Sequence, residues 1–316
     1  MSHVAYELST QPESWERAAE LAPARRAVLP EPGERTAIVG CGTSYYMAQA
    51  AAALREDAGH GETDAFPASE FPHRRRYDRV VALTRSGTTT EVLDLLAALR
   101  EAGTPTTAVI GDPDTPVTGL ADDLVVLDFA DEESVVQTRF ATTALTLLRA
   151  HVGAHTPAVV ADARTALAEP LPVAPEGLSQ FTFLGRGWSV GLAHEAALKM
   201  REASLSWAES YPAMEYRHGP VSVTGPGSVT WSLDATPDGI AEQVLGTGAA
   251  WVAGALDPLA ELVRVHRFAV AVAAHRRLDP DAPRNLTRSV ILTPGHTAGH
   301  TAGHASGLAA AEEAVR

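Results

Sequence analysis

The chain has 316 residues, 45% apolar and 20% charged, with a formal net charge of −14 and a single cysteine, Cys41. That length can bury the core of one large or two ordinary domains. The acidic balance excludes a nucleic-acid face, which needs clustered positive charge, and one thiol excludes an internal disulfide or a multi-cysteine metal site.

The N-terminal stretch MSHVAYELSTQPESWERAAEL holds no basic-then-apolar leader, and no run approaches about 18 apolar residues. A cytoplasmic protein without membrane or nucleic-acid partners is therefore expected, the basic cluster HRRRYDR at 73–79 being too short to reverse the charge. Pro12 near the start of a helical spacing predicts a short leading helix from Thr10 to Leu21. TAIVG (36–40) reads as a buried strand, CGTS as its turn and YYMAQAAAALRE as a helix. The order repeats with RVVALT (79–84), the turn RSGTT and the helix TEVLDLLAALREAG. TTAVIGD and DLVVLDF read as further strands, and 135–151 and 157–168 as helices, the second with Thr156 as cap and Pro157 in its first turn. Strands alternating with helices of this length imply an α/β fold with mostly parallel sheets in three layers.

The Pro-rich EPLPVAPEG is the best domain boundary. Beyond it FTFLG (181–185) is a strand, RGWS a turn, and an Ala-rich helix follows. IVGCGTSYYMAQAAAALRE and FLGRGWSVGLAHEAALKMRE align at an offset of 145 residues, sharing Gly, x, Gly, x, Ser and then the helix, so two tandem copies of one unit are expected. The second copy is degenerate: SVTWSLDAT is a strand with no Ser-rich turn after it. Helices are expected at 238–253 and 257–278, then the segment RNLTRSVIL. The division is a leading segment 1–25, a first domain 26–169, a second 176–294, and a low-complexity tail 295–316 expected to be disordered. His296, His300 and His304 recur in that tail every four residues, but the Gly and Thr between them favour disorder over a metal site. No metal or cofactor is expected.

Two strand-to-helix turns are rich in small hydroxyl residues, and free N–H groups with the helix dipole attract anions there. Ser44, Thr84, Ser86 and Thr89 can wrap a phosphate; two such turns in one sheet outweigh the plain reading of Ser and Thr as helix caps. A dinucleotide fingerprint fails, because Tyr45 and Val190 stand where the third glycine is required.

In the helix after RGWS, Glu195, Lys199 and Glu202 fall within about 60° of one another, with Ser206 and Glu209 expected to continue the stripe. Generic helices put such pairs in water. Here, however, Lys199 is the only lysine beside 24 arginines, which implies a task that guanidinium cannot do. His218 follows in the loop YRHGP, well suited to acid and base work.

Together these residues resemble the tandem sugar isomerase (SIS) domains, and within them the isomerase half of glucosamine-fructose-6-phosphate aminotransferase. CGTS (41–44) and TRSGTTTE (84–91) resemble the family's phosphate loops, and SVVQTRFATT (134–143) the segment after them. GRGWSVGLAHEAALKMREAS through HGP resembles the catalytic stretch, and DAPRNLTRSV the C-terminal loop. The resemblance implies that Ser44, Thr84, Arg85, Ser86 and Thr89 hold a substrate phosphate, while Cys41, Gly42, Thr43, Val135 and Arg288 line the site. Glu202 would move a proton between C1 and C2 of an open-chain sugar, assisted by Lys199 and Glu195. His218 would open the ring from a neighbouring subunit, which implies a homodimer. Arg288 stands where the aminotransferase forms an imine on lysine, and with no glutaminase-like segment in these residues glutamine is not expected to supply nitrogen. The expected activity is a hexosamine or hexose 6-phosphate isomerase with ammonia release. A simple isomerase or deglycase, and a non-catalytic phosphosugar sensor, are the alternatives.

Overall fold

The computed structural model describes residues 2–292; the expected tail at 295–316, with His296, His300 and His304, lies outside them. Two short helices lead, α1 (His3–Ser9) and α2 (Gln11–Leu21). The first unit then runs β1 (Thr36–Gly40), α3 (Thr43–Asp57), β2 (Thr63–Pro67), β3 (Arg79–Thr84), α4 (Thr90–Glu101), β4 (Thr106–Ile110), β5 (Asp123–Val126), α5 (Arg139–His151) and α6 (Pro157–Ala168). Its sheet has the order β2-β1-β3-β4-β5, all parallel. β1 and β4 are buried at every residue, as strands covered by helices on both faces must be.

The second unit runs β6 (Gln180–Gly185), α7 (Ser189–Ser204), β7 (Trp207–Pro212), β8 (Ser228–Ser232), α8 (Ile240–Gly246), β9 (Ala250–Ala253) and α9 (Pro258–His275). The order β7-β6-β8-β9, again all parallel, repeats the first four positions of the first sheet. The repeat extends to backbone detail. Gly42 and Gly187 both turn left-handed, at φ 54° and 53°, and a Cβ on Gly40 or Gly185 would lie within 2.6 or 2.3 Å of the following helix. The two equivalent helices, α3 and α7, pack on each other across Gly191, where a Cβ would meet the Tyr46 carbonyl oxygen at 2.5 Å. One apolar cluster runs from Trp15 through Phe140 to Phe268, so the core is continuous between the units.

Several elements differ from expectation. The helix ends at Ser204 because Leu205 turns left-handed, so Ser206 and Glu209 leave the stripe; 207–212 is the edge strand β7. The helix expected at 238–253 is α8 followed by β9. The helix expected from 135 starts at Arg139, because the buried Glu132 carboxylate accepts from the N–H groups of Thr138 and Arg139, both at 2.7 Å, and so caps it there. The helix expected at 257–278 closes at His275, and the strand DLVVLDF at Val126. No helix among the described residues is long and apolar enough to cross a membrane.

Candidate active site

The candidate site lies at the carboxyl ends of β1 and β3, where parallel sheets place their ligands. After β1 the left-handed Gly42 drops the chain directly into α3, burying Thr43 and Ser44 in its first turn. After β3 come Thr84 and Ser86, both buried, then Gly87 at φ 59°, where a Cβ would strike Thr115 Oγ1 at 2.0 Å. Thr89 precedes α4 and its side chain caps nothing. Ser44, Thr84, Ser86 and Thr89 thus surround a hollow of about 30 Å3, which shares Cys41, Thr89 and Gln137 with a cleft of about 180 Å3. Residues 286–290 form the far wall of that cleft, held by Thr90 N–H donating to the Val290 carbonyl (3.1 Å) and by Thr88 Oγ1 against Ser289 Oγ (2.9 Å). A hollow of about 440 Å3 beside Arg26, His60 and His151 is larger, but it gathers no carboxylates. Chemistry therefore places the site in the smaller cleft.

At the floor, α7 presents its stripe inward. Glu195 is 0% and Lys199 1% exposed, and Glu202 is the only carboxylate lining the cleft among the described residues. The Lys199 ammonium donates to Glu202 Oε2 and lies 3.4 Å from Glu195 Oε1. Burial works against the Lys199 charge, but Glu195 and Glu202 outweigh it and hold its pKa above the ordinary value. Burial pushes Glu195 up to about 7, against the lowering pull of Lys199. A carboxylate tied to a buried ammonium and facing a cleft is equipped to take a proton and return it.

The sequence-assigned residues fall into three groups. Cys41, Gly42, Thr43, Ser44, Thr84, Ser86, Thr89, Val135, Glu202 and Arg288 come together at the cleft, with Lys199 and Glu195 behind Glu202. Arg85 borders the cleft but is 1% exposed, and its guanidinium donates to the carbonyls of Ser134 (2.8 Å), Arg288 (2.9 Å) and Val135 (3.4 Å). In this structure Arg85 ties the cleft walls together. Its neighbour Arg288 is engaged with both Asp131 oxygens, at 2.7 and 2.8 Å. His218 stands apart, exposed at the end of the short turn Glu215–His218 and outside the cleft of its own chain. Burial and the nearby Glu91 push the Cys41 thiol up to about 11, so it stays protonated and lines the site without acting as a nucleophile.

Gln137, Thr287 and Ser289 also line the cleft, and sequence reasoning did not single them out. Gln137 lies within the quoted SVVQTRFATT segment and Thr287 and Ser289 within RNLTRSVIL, but nothing in their local pattern marked them.

Residues 32–152 match the SIS domain family. That match covers the first unit, from just ahead of β1 to the end of α5. The chain is 27% identical over 317 residues to the isomerizing glutamine–fructose-6-phosphate aminotransferase of Gloeobacter violaceus, an alignment covering 81% of this chain and 52% of that protein. The chain spans about half the length of the curated relatives it matches. Its fold is similar to the crystal structure of glucosamine-6-phosphate deaminase from Thermotoga maritima, with TM-score 0.79 and 22% identity over 92% of this chain and 100% of that one. It is also similar to tagatose-6-phosphate ketose/aldose isomerase from Escherichia coli, with TM-score 0.74 and 17% identity over 93% of this chain and 97% of that one. At these identities the chain shares their fold.

Proposed function

We propose that this chain, as a SIS-type protein, isomerises a hexosamine or hexose 6-phosphate between aldose and ketose, and that with an amino sugar it releases ammonia. The observation that carries the reading is the position of Glu202: among the described residues it alone supplies a carboxylate to a cleft whose other end is the hydroxyl-lined hollow, and Lys199 is buried against it. The phosphate would sit against Ser44, Thr84, Ser86 and Thr89 with the N-termini of α3 and α4 behind it. Glu202 would then take the C2 proton of the open-chain sugar and return it at C1. With an amine on C2 this leaves an imine at C2; water adds, ammonia departs and a ketose remains.

Release of ammonia fits this cleft better than amide transfer. The C-terminal wall presents Arg288, which stays protonated and forms no imine. Lys199 is held between two carboxylates. His218, exposed and outside its own cleft, would open the sugar ring in a second copy of the chain. The coarser reading, a phosphosugar isomerase-type SIS protein, also accords with the named activities of the relatives. Incubation with glucosamine 6-phosphate in deuterated water, with ammonia and ketose assayed together, tests the proposal. Ketose without ammonia from any amino sugar removes the deaminase step, and binding without deuterium at C2 favours a sensor.

A further inference from the structure

The proposed reaction leaves one buried acid–base group unused. His266, on α9, is 2% exposed, and α9 packs along α7. Its Nε2 lies 3.7 Å from Oε1 of Glu195. Among the described residues neither ring nitrogen of His266 has a hydrogen-bond partner, and Glu195 has beside it only the Lys199 ammonium, 3.4 Å from Oε1, and the Thr43 side chain. Buried polar groups are as a rule partnered, because an unmade bond keeps the full desolvation penalty. These two groups face each other across a gap that closes to hydrogen-bond length with a movement of less than about 1 Å.

The charges around them say what the contact carries. Lys199 and Glu202 face the pair from α7, Thr43 and Tyr46 from α3, and Glu132 from the loop ahead of α5. Glu132 has its own cation, Arg85, at 3.7 Å. If both carboxylates were ionised, one ammonium would serve two of them, Glu195 wholly out of water and Glu202 at the floor of the cleft. One proton held between Glu195 and His266 removes that excess.

We propose that His266 is a positioning residue acting through Glu195: its neutral imidazole accepts the Glu195 carboxyl proton at Nε2, which commits the single ammonium of Lys199 to Glu202. The inference rests on the proposed function only in taking Glu202 as the reacting carboxylate. When Glu195 loses its proton, Lys199 is shared and Glu202 loses part of its partner. Turnover therefore falls on the alkaline side while substrate affinity does not change.

The test reads Glu195 directly. Carboxyl 13C spectra of the full chain, without ligand, should give a Glu195 midpoint near 7. The midpoint should fall by a unit or more in His266→Phe, since the neutral acid loses its acceptor, and should be restored in His266→Gln. The alkaline limb of kcat for glucosamine 6-phosphate should move with it, at unchanged KM. A Glu195 midpoint unaltered in His266→Phe overturns the proposal. Should that variant fail to fold, 15N spectra of the unmodified chain decide: His266 should remain neutral, with Nε2 unprotonated, across about pH 5 to 8, and a ring that titrates in that range overturns it. A midpoint that moves in a chain that catalyses no C2 exchange supports the pair while refuting the proposed function.

Discussion

Replacing Glu195 by glutamine gives the sharpest test of the electrostatics under the cleft. The substitution keeps shape and removes the titration at a position with 0% exposure. In the folded chain burial raises the carboxyl from 4.5 to about 7. A group whose pKa is raised by folding contributes stability that is present below its unfolded value and lost as pH rises through its folded one. The window here is therefore about pH 4.5 to 7. At about 1.4 kcal/mol per unit, the native chain should lose on the order of 3 kcal/mol to this group across that window. Glu195→Gln should not. Urea unfolding of both proteins at about pH 4, 6 and 8 measures the difference, with both slopes checked for two-state behaviour. The variant should gain roughly 3 kcal/mol relative to wild type between the ends of the series. A difference that stays level to within about 0.5 kcal/mol would mean that Glu195 titrates alike folded and unfolded, and the account of the buried stripe would be wrong.

Three further outcomes are expected. Lys199→Arg forces a larger head into a site 1% exposed; it should abolish C2 exchange and lower stability by about 1–3 kcal/mol through overpacking, so exchange at the wild-type rate would return the stripe to a passive role. Gly191→Ala brings a Cβ to 2.5 Å from the Tyr46 carbonyl oxygen and 2.8 Å from the Ala50 nitrogen, both backbone; the strain should exceed the helix-propensity gain of about 1 kcal/mol, and a more stable variant in urea would contradict the α3–α7 packing. Arg288→Ala releases the pair with Asp131, which is partly exposed; stability should change by less than about 1 kcal/mol, while KM for a sugar phosphate should rise about tenfold, or about 1.4 kcal/mol of binding, and an unchanged KM would exclude the C-terminal wall from binding.

The elements that were legible in the sequence are those whose burial writes a pattern. TAIVG and RVVALT are covered on both faces and read as unbroken apolar runs, and the Gly-x-Gly-x-Ser repeat exposed the internal duplication because the backbone requires it at Gly40, Gly42, Gly185 and Gly187. β2 and β7 were missed. Both are edge strands, partly exposed, of mixed polarity and ending in proline, so neither alternation nor an apolar run marks them. β9 is four residues long and was absorbed into a helix reading.

The same distinction holds at the site. Lys199 and the hydroxyl turns could be found from residue type and spacing. Arg85 has the right position for a phosphate ligand, but the carbonyls that engage it come from 134–135 and from 288, far along the chain. His266 sits as a lone histidine in VRVHRFAVAV, where local pattern says only that the helix is buried. Its proximity to Glu195 comes from the packing of α9 on α7, which no local spacing encodes.

In the proposed reaction Glu202 moves a proton on a bound sugar phosphate. Its most direct measurement is deuterium incorporation at C2 across a panel of hexose and hexosamine 6-phosphates, with ammonia assayed in parallel, for the wild-type chain and for Glu202→Gln. Exchange is expected in the wild type, with ammonia from the amino sugar, and a loss of roughly 10²- to 10⁴-fold in Glu202→Gln with sugar-phosphate binding retained. Undiminished exchange in Glu202→Gln, or a bound sugar phosphate that never exchanges in the wild type, would contradict it.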